Sequence, residues 1–401
     1  MAADLLVHHI RALYTCAPGA EGLGALPDHS VAFTEGEISW IGPSERAPDA
    51  QQVIDGAGLI GLPGLVDPHT HAVWAGSRAD EFRRRLAGAS YTELLEAGGG
   101  ILSTVRATRA ASRDDLAADA RQRLLKLRGH GVTTVEIKSG YGLDPETEAR
   151  LLQAAWDCAD TVRVVPTFLG AHAVPPELRG DRAAYVEQIV HEQLPRCAPL
   201  AECIDVYCDR GAFSLDESVR ILEAGRAAGL KVKAHAEQVA HTGIAAAAAA
   251  LGAVSVEHLE RLDDVGVAAL AAHGTVAVLL PGAQLYLRDT PPPVAALREA
   301  GVPMALGSDL NPGSSPIHDP WTIATLGCLL QGLTVEEAIL GLTRHAGAAL
   351  GRPELGWLGP GSVGDLVLFR PPPGEPADVA SLVHQMGAWR AHCVVRDGAV
   401  A

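Results

Sequence analysis

The sequence predicts an α/β protein, a distorted (β/α)8 TIM-type barrel with a small β-sandwich domain built from the N- and C-terminal segments. Three observations predict it. Between about residues 60 and 350, eight apolar strand-like runs alternate with helical patterns, as βα units around a parallel sheet do. Both ends of the chain instead read as short strands broken by turn signals. Several of the eight runs carry a histidine or an aspartate toward their C-terminal ends, and that is the end at which such a barrel builds its active site.

Taken in order, SVAFTEGEISWIGP and QQVIDGAGLIGLPG give antiparallel strands in the first sixty residues, and GSVGDLVLFR and AHCVVRDGAV do so in the last fifty. Neither set buries a core alone, so the two are expected to pair, with the barrel inserted between them. The expected division is 1–60 and 351–401 for the halves of the sandwich and 61–350 for the barrel. The eight runs are GLIGLPGLVDPHTH, VTTVEIKSGYG, VRVVPTFLGAHA, ECIDVYCDRGA, LKVKAHAEQ, AVSVEHLE, TVAVLLPG and VPMALGSDLNPG. Among the helices between them, DDLAADARQRLLKLRGH has acids in its first turn and bases near its end, as the helix dipole favours. The run Ala245 to Ala250 reads as a packed helix face, since alanine is the best helix former.

The 401 residues carry a net charge of −16, which disfavours nucleic acid and anionic membrane surfaces as partners. Hydrophobic residues make up 48% and aromatics only 4%, so Ala, Val and Leu must fill the core. No apolar window is long enough to span a membrane, and MAADLLVHHIRALYT lacks the basic start and long apolar run of a signal peptide. A cytoplasmic protein is expected. The 7 cysteines are odd in number and scattered, which fits reduced thiols, with Cys203 and Cys208 as strand-packing residues.

His69 and His71 end the first run, and residues two apart on a strand share a side, so both imidazoles can reach one metal ion. His172, His235, His258 and Asp309 lie toward the C-terminal ends of other runs. His69, His71, His235 and Asp309 make a nitrogen and oxygen donor set for a divalent ion, which would lower the pKa of a water from about 15.7 toward 7. His258 is placed to polarise a carbonyl or shuttle a proton. Lys138 on the second run is either a structural ion-pair partner or a residue of the barrel mouth.

This pattern resembles the metal-dependent amidohydrolase superfamily. Its binuclear members carry a carboxylated lysine on the fourth strand, and ECIDVYCDRGA has no lysine, so the resemblance implies one divalent ion, zinc or iron. The segments HTHAVWAGSRADEFRRRLAGASY, GGGILSTVRATR, VEIKSGYGL, TFLGAHAVP, AHAEQ and SDLNPGSSP are similar to those of the imidazolonepropionase family over nearly the whole chain. That family hydrolyses the ring amide of 4-imidazolone-5-propanoate to N-formimidoyl-L-glutamate in histidine degradation. Carried over by motif, substrate contacts fall on Arg78, Tyr91, Tyr141, His172, Gln238, Asn311, Gly313 and Ser314, and catalysis on Asp309, His258 and Gln238.

Arg78 offers a planar fork to a carboxylate, with both tyrosine hydroxyls to help. Some family members have glutamate where this chain has Gln238. An amide is no general base, so Gln238 is expected to hold substrate while Asp309 and His258 move protons. Glu237 is expected to be structural. The resemblance also implies a homodimer. Two readings compete: a mononuclear aminohydrolase of a purine or pyrimidine, which would release ammonia and need no Arg78, and a metal-free scaffold on the same barrel.

Overall fold

The computed structural model describes residues 2–88, 99–372 and 374–401. Eight parallel strands form the barrel: β6 (Leu65–Asp67), β7 (Val132–Lys138), β8 (Arg163–Ala171), β9 (Cys203–Cys208), β10 (Lys231–Ala236), β11 (Ser255–His258), β12 (Val276–Leu279) and β13 (Met304–Leu306). They pair in chain order, and each lies in one of the eight runs read from the sequence. The ring closes just beyond the first and last strands. There Thr70 bridges Leu310, the Asp309 amide donates to the His69 carbonyl at 3.0 Å, and the His71 amide to the Leu310 carbonyl at 2.9 Å. Closure therefore runs through the residues that carry the candidate site.

The strands are almost wholly buried, as parallel strands covered by helices must be. The helices carry their start and stop signals in sequence. Helix Arg113–Gly129 is capped by Ser112, whose hydroxyl accepts the Asp115 amide, and buries Leu116, Ala120, Leu124 and Leu127 along one face. Helix Leu215–Ala227 opens on the Ser214/Glu217 capping box. Helix Asp264–His273 ends on Gly274 at φ 67°, a left-handed conformation that glycine adopts without strain. Helix Ile244–Ala250 buries Ala245, Ala248 and Ala249.

The terminal segments form one curled sheet from β1 (Ala3–Tyr14), β2 (Ala25–Thr34), β3 (Glu37–Pro43), β4 (Ala50–Asp55), β5 (Ile60–Pro63), β14 (Leu366–Phe369), β15 (Cys393–Arg396) and β16 (Ala399–Val400). The two ends of the chain meet where β5 pairs antiparallel with β14. The sheet encloses its own apolar core around Val7, Ile10, Leu13, Val31, Phe33, Leu366, Leu368 and Val395. Gly64 makes the passage from this sheet into the barrel. A Cβ there would lie 2.3 Å from Thr133 Oγ1 and 2.8 Å from Asp365 Cβ, so only glycine lets the two bodies approach. Both Cys203 and Cys208 are buried free thiols in β9. No helix of the described residues is long and apolar enough to cross a membrane.

Candidate metal centre and active site

His69 and His71 face the barrel interior because Thr70 between them points the other way, its hydroxyl donating to the Glu136 carbonyl at 2.5 Å. Their ring centroids are 5.4 Å apart, and His235, near the end of β10, lies 4.6 Å from His69 and 5.5 Å from His71. Asp309 completes the group, with Oδ1 3.4 Å from His69 Nε2 and 3.6 Å from His71 Nε2. Burial, with the nearby Lys138 ammonium and other imidazoles adding to it, holds His69 and His71 well below the usual histidine pKa. Burial likewise lowers His235 to about 3, against the pull of Asp205.

These imidazoles are therefore neutral at pH 7, the form that binds metal. His69 Nδ1 and Nε2 and His71 Nδ1 are buried with no hydrogen-bond partner, a costly state unless something completes it. Three neutral imidazoles and a carboxylate fit a borderline divalent ion.

His258 ends β11 with φ 75°, and its ring lies 5.9 Å from His69 and 5.5 Å from His235. Burial lowers its pKa, but Glu260, whose carboxylate is 3.8 Å from Nδ1, outweighs that together with Asp309 and Glu257, and the net shift is upward. Burial pushes the Asp309 carboxyl up to about 6, against the pull of His258. A buried carboxyl raised to about 6 and an imidazole shifted upward are both candidates for moving protons at this site. Asp309 also sits at φ 49°, and such backbone strain gathers where function demands it.

Around this group the structure brings in most of the residues named from sequence. His172, just beyond β8, stacks on His71 at 5.0 Å, and its Nδ1–H donates to the Gly140 carbonyl at 3.0 Å. Burial lowers its pKa to about 4. Tyr141 is buried 5.7 Å from the His71 ring and 5.4 Å from that of His172. Gln238 is buried in the loop after β10. The neighbouring Glu237 turns its carboxylate to the Thr242 and Ala245 amides at the start of helix Ile244–Ala250. Asn311 is engaged within its own turn: its Oδ1 accepts the Gly313 and Ser314 amides at 2.8 Å, and its Nδ2 donates to the Asp309 carbonyl at 2.7 Å. Ser314 Oγ stands 3.5 Å from Asp309 Oδ2. Tyr91 lies outside the described residues.

Of the layer beneath, sequence reasoning named only Lys138, as a structural ion-pair partner or a residue of the mouth, and missed its partners and Lys233. Lys138 is wholly buried, with Nζ 2.7 Å from Asp205 and 3.0 Å from Glu136, so it is an ion-pair partner below the mouth. Lys233 Nζ lies 2.8 Å from Glu136 and 3.1 Å from Glu257. Asp205 supports His235 twice, accepting its backbone amide at 3.1 Å and placing Oδ2 2.9 Å from its Nδ1. Such carboxylates fix the orientation of a ligand imidazole. The signal was present in the sequence as charged residues inside apolar strands, VTTVEIK, CIDVYC and KVKAHA.

Glu148 was missed too. Wholly buried, it accepts the amides of Gly140, Gly142 and Leu143 at 2.7 to 2.8 Å and so shapes the loop that carries Tyr141. Glu148→Gln keeps one oxygen but turns an NH2 toward an amide N–H. It is expected to cost about 1–3 kcal/mol, read from the denaturant midpoint. An unchanged midpoint would show that the loop holds itself.

Fold and site together define an amidohydrolase barrel with a candidate metal centre at its mouth. The model of the Amidohydrolase family matches residues 78–401. The chain is 48% identical to an imidazolonepropionase of Ralstonia nicotianae over 99% of this chain and 98% of that protein, and 48% identical to one of Caulobacter vibrioides over 96% and 97%. It therefore belongs to the imidazolonepropionase family of hydrolases within the amidohydrolases. Among solved structures, an adenosine deaminase from Xanthomonas campestris with bound zinc shares the fold at TM-score 0.73 and 18% identity, covering 100% of this chain and 93% of that one. Atrazine chlorohydrolase from Arthrobacter aurescens, complexed with zinc, does so at 0.71 and 17%, covering 99% and 94%.

Proposed function

We propose that this chain opens the ring of 4-imidazolone-5-propanoate by hydrolysing its ring amide, yielding N-formimidoyl-L-glutamate in histidine degradation. The observation that carries this reading is the near full-length likeness to imidazolonepropionases, borne on a barrel whose mouth holds three neutral imidazoles facing Asp309.

His69, His71, His235 and Asp309 would hold one divalent ion, zinc or iron. Such an ion supplies Lewis acidity for the carbonyl and an acidified water. Asp309, with its raised pKa, takes the proton of the attacking water. His258 holds a proton toward the carbonyl oxygen as charge develops there. As the ring C–N bond breaks, the departing nitrogen takes its proton from Asp309 or His258. Gln238 and His172 hold the ring by hydrogen bonds. Arg78, Tyr141 and Tyr91 take the propanoate, and Gly313 and Ser314 line the turn beside it.

The same reading makes the protein a cytoplasmic homodimer that binds no nucleic acid. The test combines metal analysis of the purified protein with the ultraviolet absorbance of freshly generated imidazolone propanoate. Loss of the imidazolone band without ammonia release is expected, with one metal ion per chain. Ammonia release from a purine or pyrimidine, with the imidazolone untouched, would replace this reading by a deaminase.

A further inference from the structure

Arg78 does not stand at the mouth as a free cation. The side-on edge of its guanidinium is already taken: Nε donates to Glu81 Oε2 at 2.8 Å and Nη2 to Glu81 Oε1 at 2.5 Å. Glu81 Oε2 also accepts the Gly100 amide at 2.9 Å, so the carboxylate that aims the arginine is itself fixed. On the other side lies Gly313. A Cβ there would stand 2.6 Å from Nη1, 2.9 Å from Cζ and 3.2 Å from Nη2, so the guanidinium rests directly against that backbone. Gly313 is held in turn by Asn311, which also grips the Asp309 carbonyl. Arg78 is therefore clamped between helix Ala79–Leu86 and the loop that carries Asp309.

A guanidinium has two edges that can take a carboxylate in bidentate fashion, and Glu81 leaves the end-on edge, Nη1 with the second Nη2 hydrogen. We infer that Glu81 is a positioning residue: with Gly313 it aims the end-on edge of Arg78, which then selects a planar carboxylate on the substrate by directed hydrogen bonds. This deepens the function proposed above and rests on it, because the propanoate is the group selected. Net charge does not explain the selection, since Glu81 cancels the charge of Arg78 and the chain as a whole is at −16.

The alternatives give opposite signs. Glu81→Gln makes the mouth more positive by one charge. If Arg78 acted as a point charge, the variant would bind a carboxylate more tightly. If aim decides, the loosened guanidinium binds it less well. The test measures kcat and KM of the metal-loaded enzyme, and the inhibition constants of imidazole-4-propanoate and of its carboxamide, for the parent, Glu81→Gln and Gly313→Ala.

We expect KM to rise roughly tenfold in Glu81→Gln with kcat changed much less, and the preference for carboxylate over carboxamide to shrink by a similar factor. Gly313→Ala, whose Cβ displaces the guanidinium, should lose the same preference and keeps the question open to test should Glu81→Gln fold poorly. A preference retained in both variants, or strengthened in Glu81→Gln, overturns the inference alone. A parent enzyme that neither turns over the imidazolone nor distinguishes the two inhibitors overturns the substrate reading beneath it.

Discussion

Asp309→Asn is expected to lower kcat by about 10²–10⁴-fold while leaving the fold intact. The substitution is chosen so that little else changes. Asn has nearly the same shape, and it tolerates the left-handed φ of 49° found at this position about as well as Asp does. The backbone bond from residue 309 to the His69 carbonyl, which closes the barrel, is kept. What disappears is the anionic oxygen facing His69 and His71, and with it the carboxylate that can accept a proton there. Burial raises this carboxyl to about 6, so at pH 7 it is ionised yet within reach of protonation, the condition for passing a proton on within one turnover. An amide can do neither.

Two measurements separate these losses. Metal content after dialysis reports the ligand, and kcat at saturating metal reports the proton acceptor. Asp309→Asn should fail on both while its thermal melt stays near that of the parent. A variant keeping more than a tenth of parental turnover at full metal occupancy would remove Asp309 from proton transfer.

The parts of the molecule legible in the sequence are those governed by one-dimensional rules. The eight barrel strands were visible because a parallel strand covered on both sides must be apolar along its length, as VRVVPTFLGA and TVAVLLPG are. His69 and His71 were visible because side chains two apart on a strand share a side. Glu81 was invisible as a partner of Arg78, since three-residue spacing on a helix marks a surface pair as often as a buried one. Asp and His are among the residues that tolerate positive φ, but most of them adopt ordinary backbone, so residue type alone did not reveal φ 75° at His258 and 49° at Asp309. The charges inside the barrel were written in the sequence, at Glu136, Lys138, Asp205, Lys233 and Glu257, but each is tolerable only through the others. A single run such as CIDVYC cannot show its partner two strands away.

That interdependence sets the second large expectation, a loss of about 3–5 kcal/mol of stability in Lys138→Met. Lys138 and Lys233 share three buried carboxylates: Lys138 Nζ is 2.7 Å from Asp205, 3.0 Å from Glu136 and 4.0 Å from Glu257, and none of these side chains is exposed. Methionine fills the same space without charge, so the cost is electrostatic rather than a cavity. With one ammonium left against three carboxylates, the cheapest response is to bind a proton.

Glu257 is the natural acceptor, because burial already raises its pKa above 4.5 even with both lysines pulling it down. A carboxyl whose folded pKa is raised contributes stability at low pH and loses it as the pH climbs through the folded value. Because Glu257, at about 7, is already protonated at pH 5 in the parent, the deficit of Lys138→Met should persist there, from Asp205 and Glu136 sharing one lysine. It should grow toward pH 8 as Glu257 ionises, as denaturant melts at the two values would show. Asp205→Asn in the same background removes the closest of the stranded charges and should recover part of the loss at pH 8. A single variant as stable as the parent at pH 8 would mean that Lys233 alone neutralises the cluster, and Lys138 would then be a passenger in the barrel rather than its counter-charge.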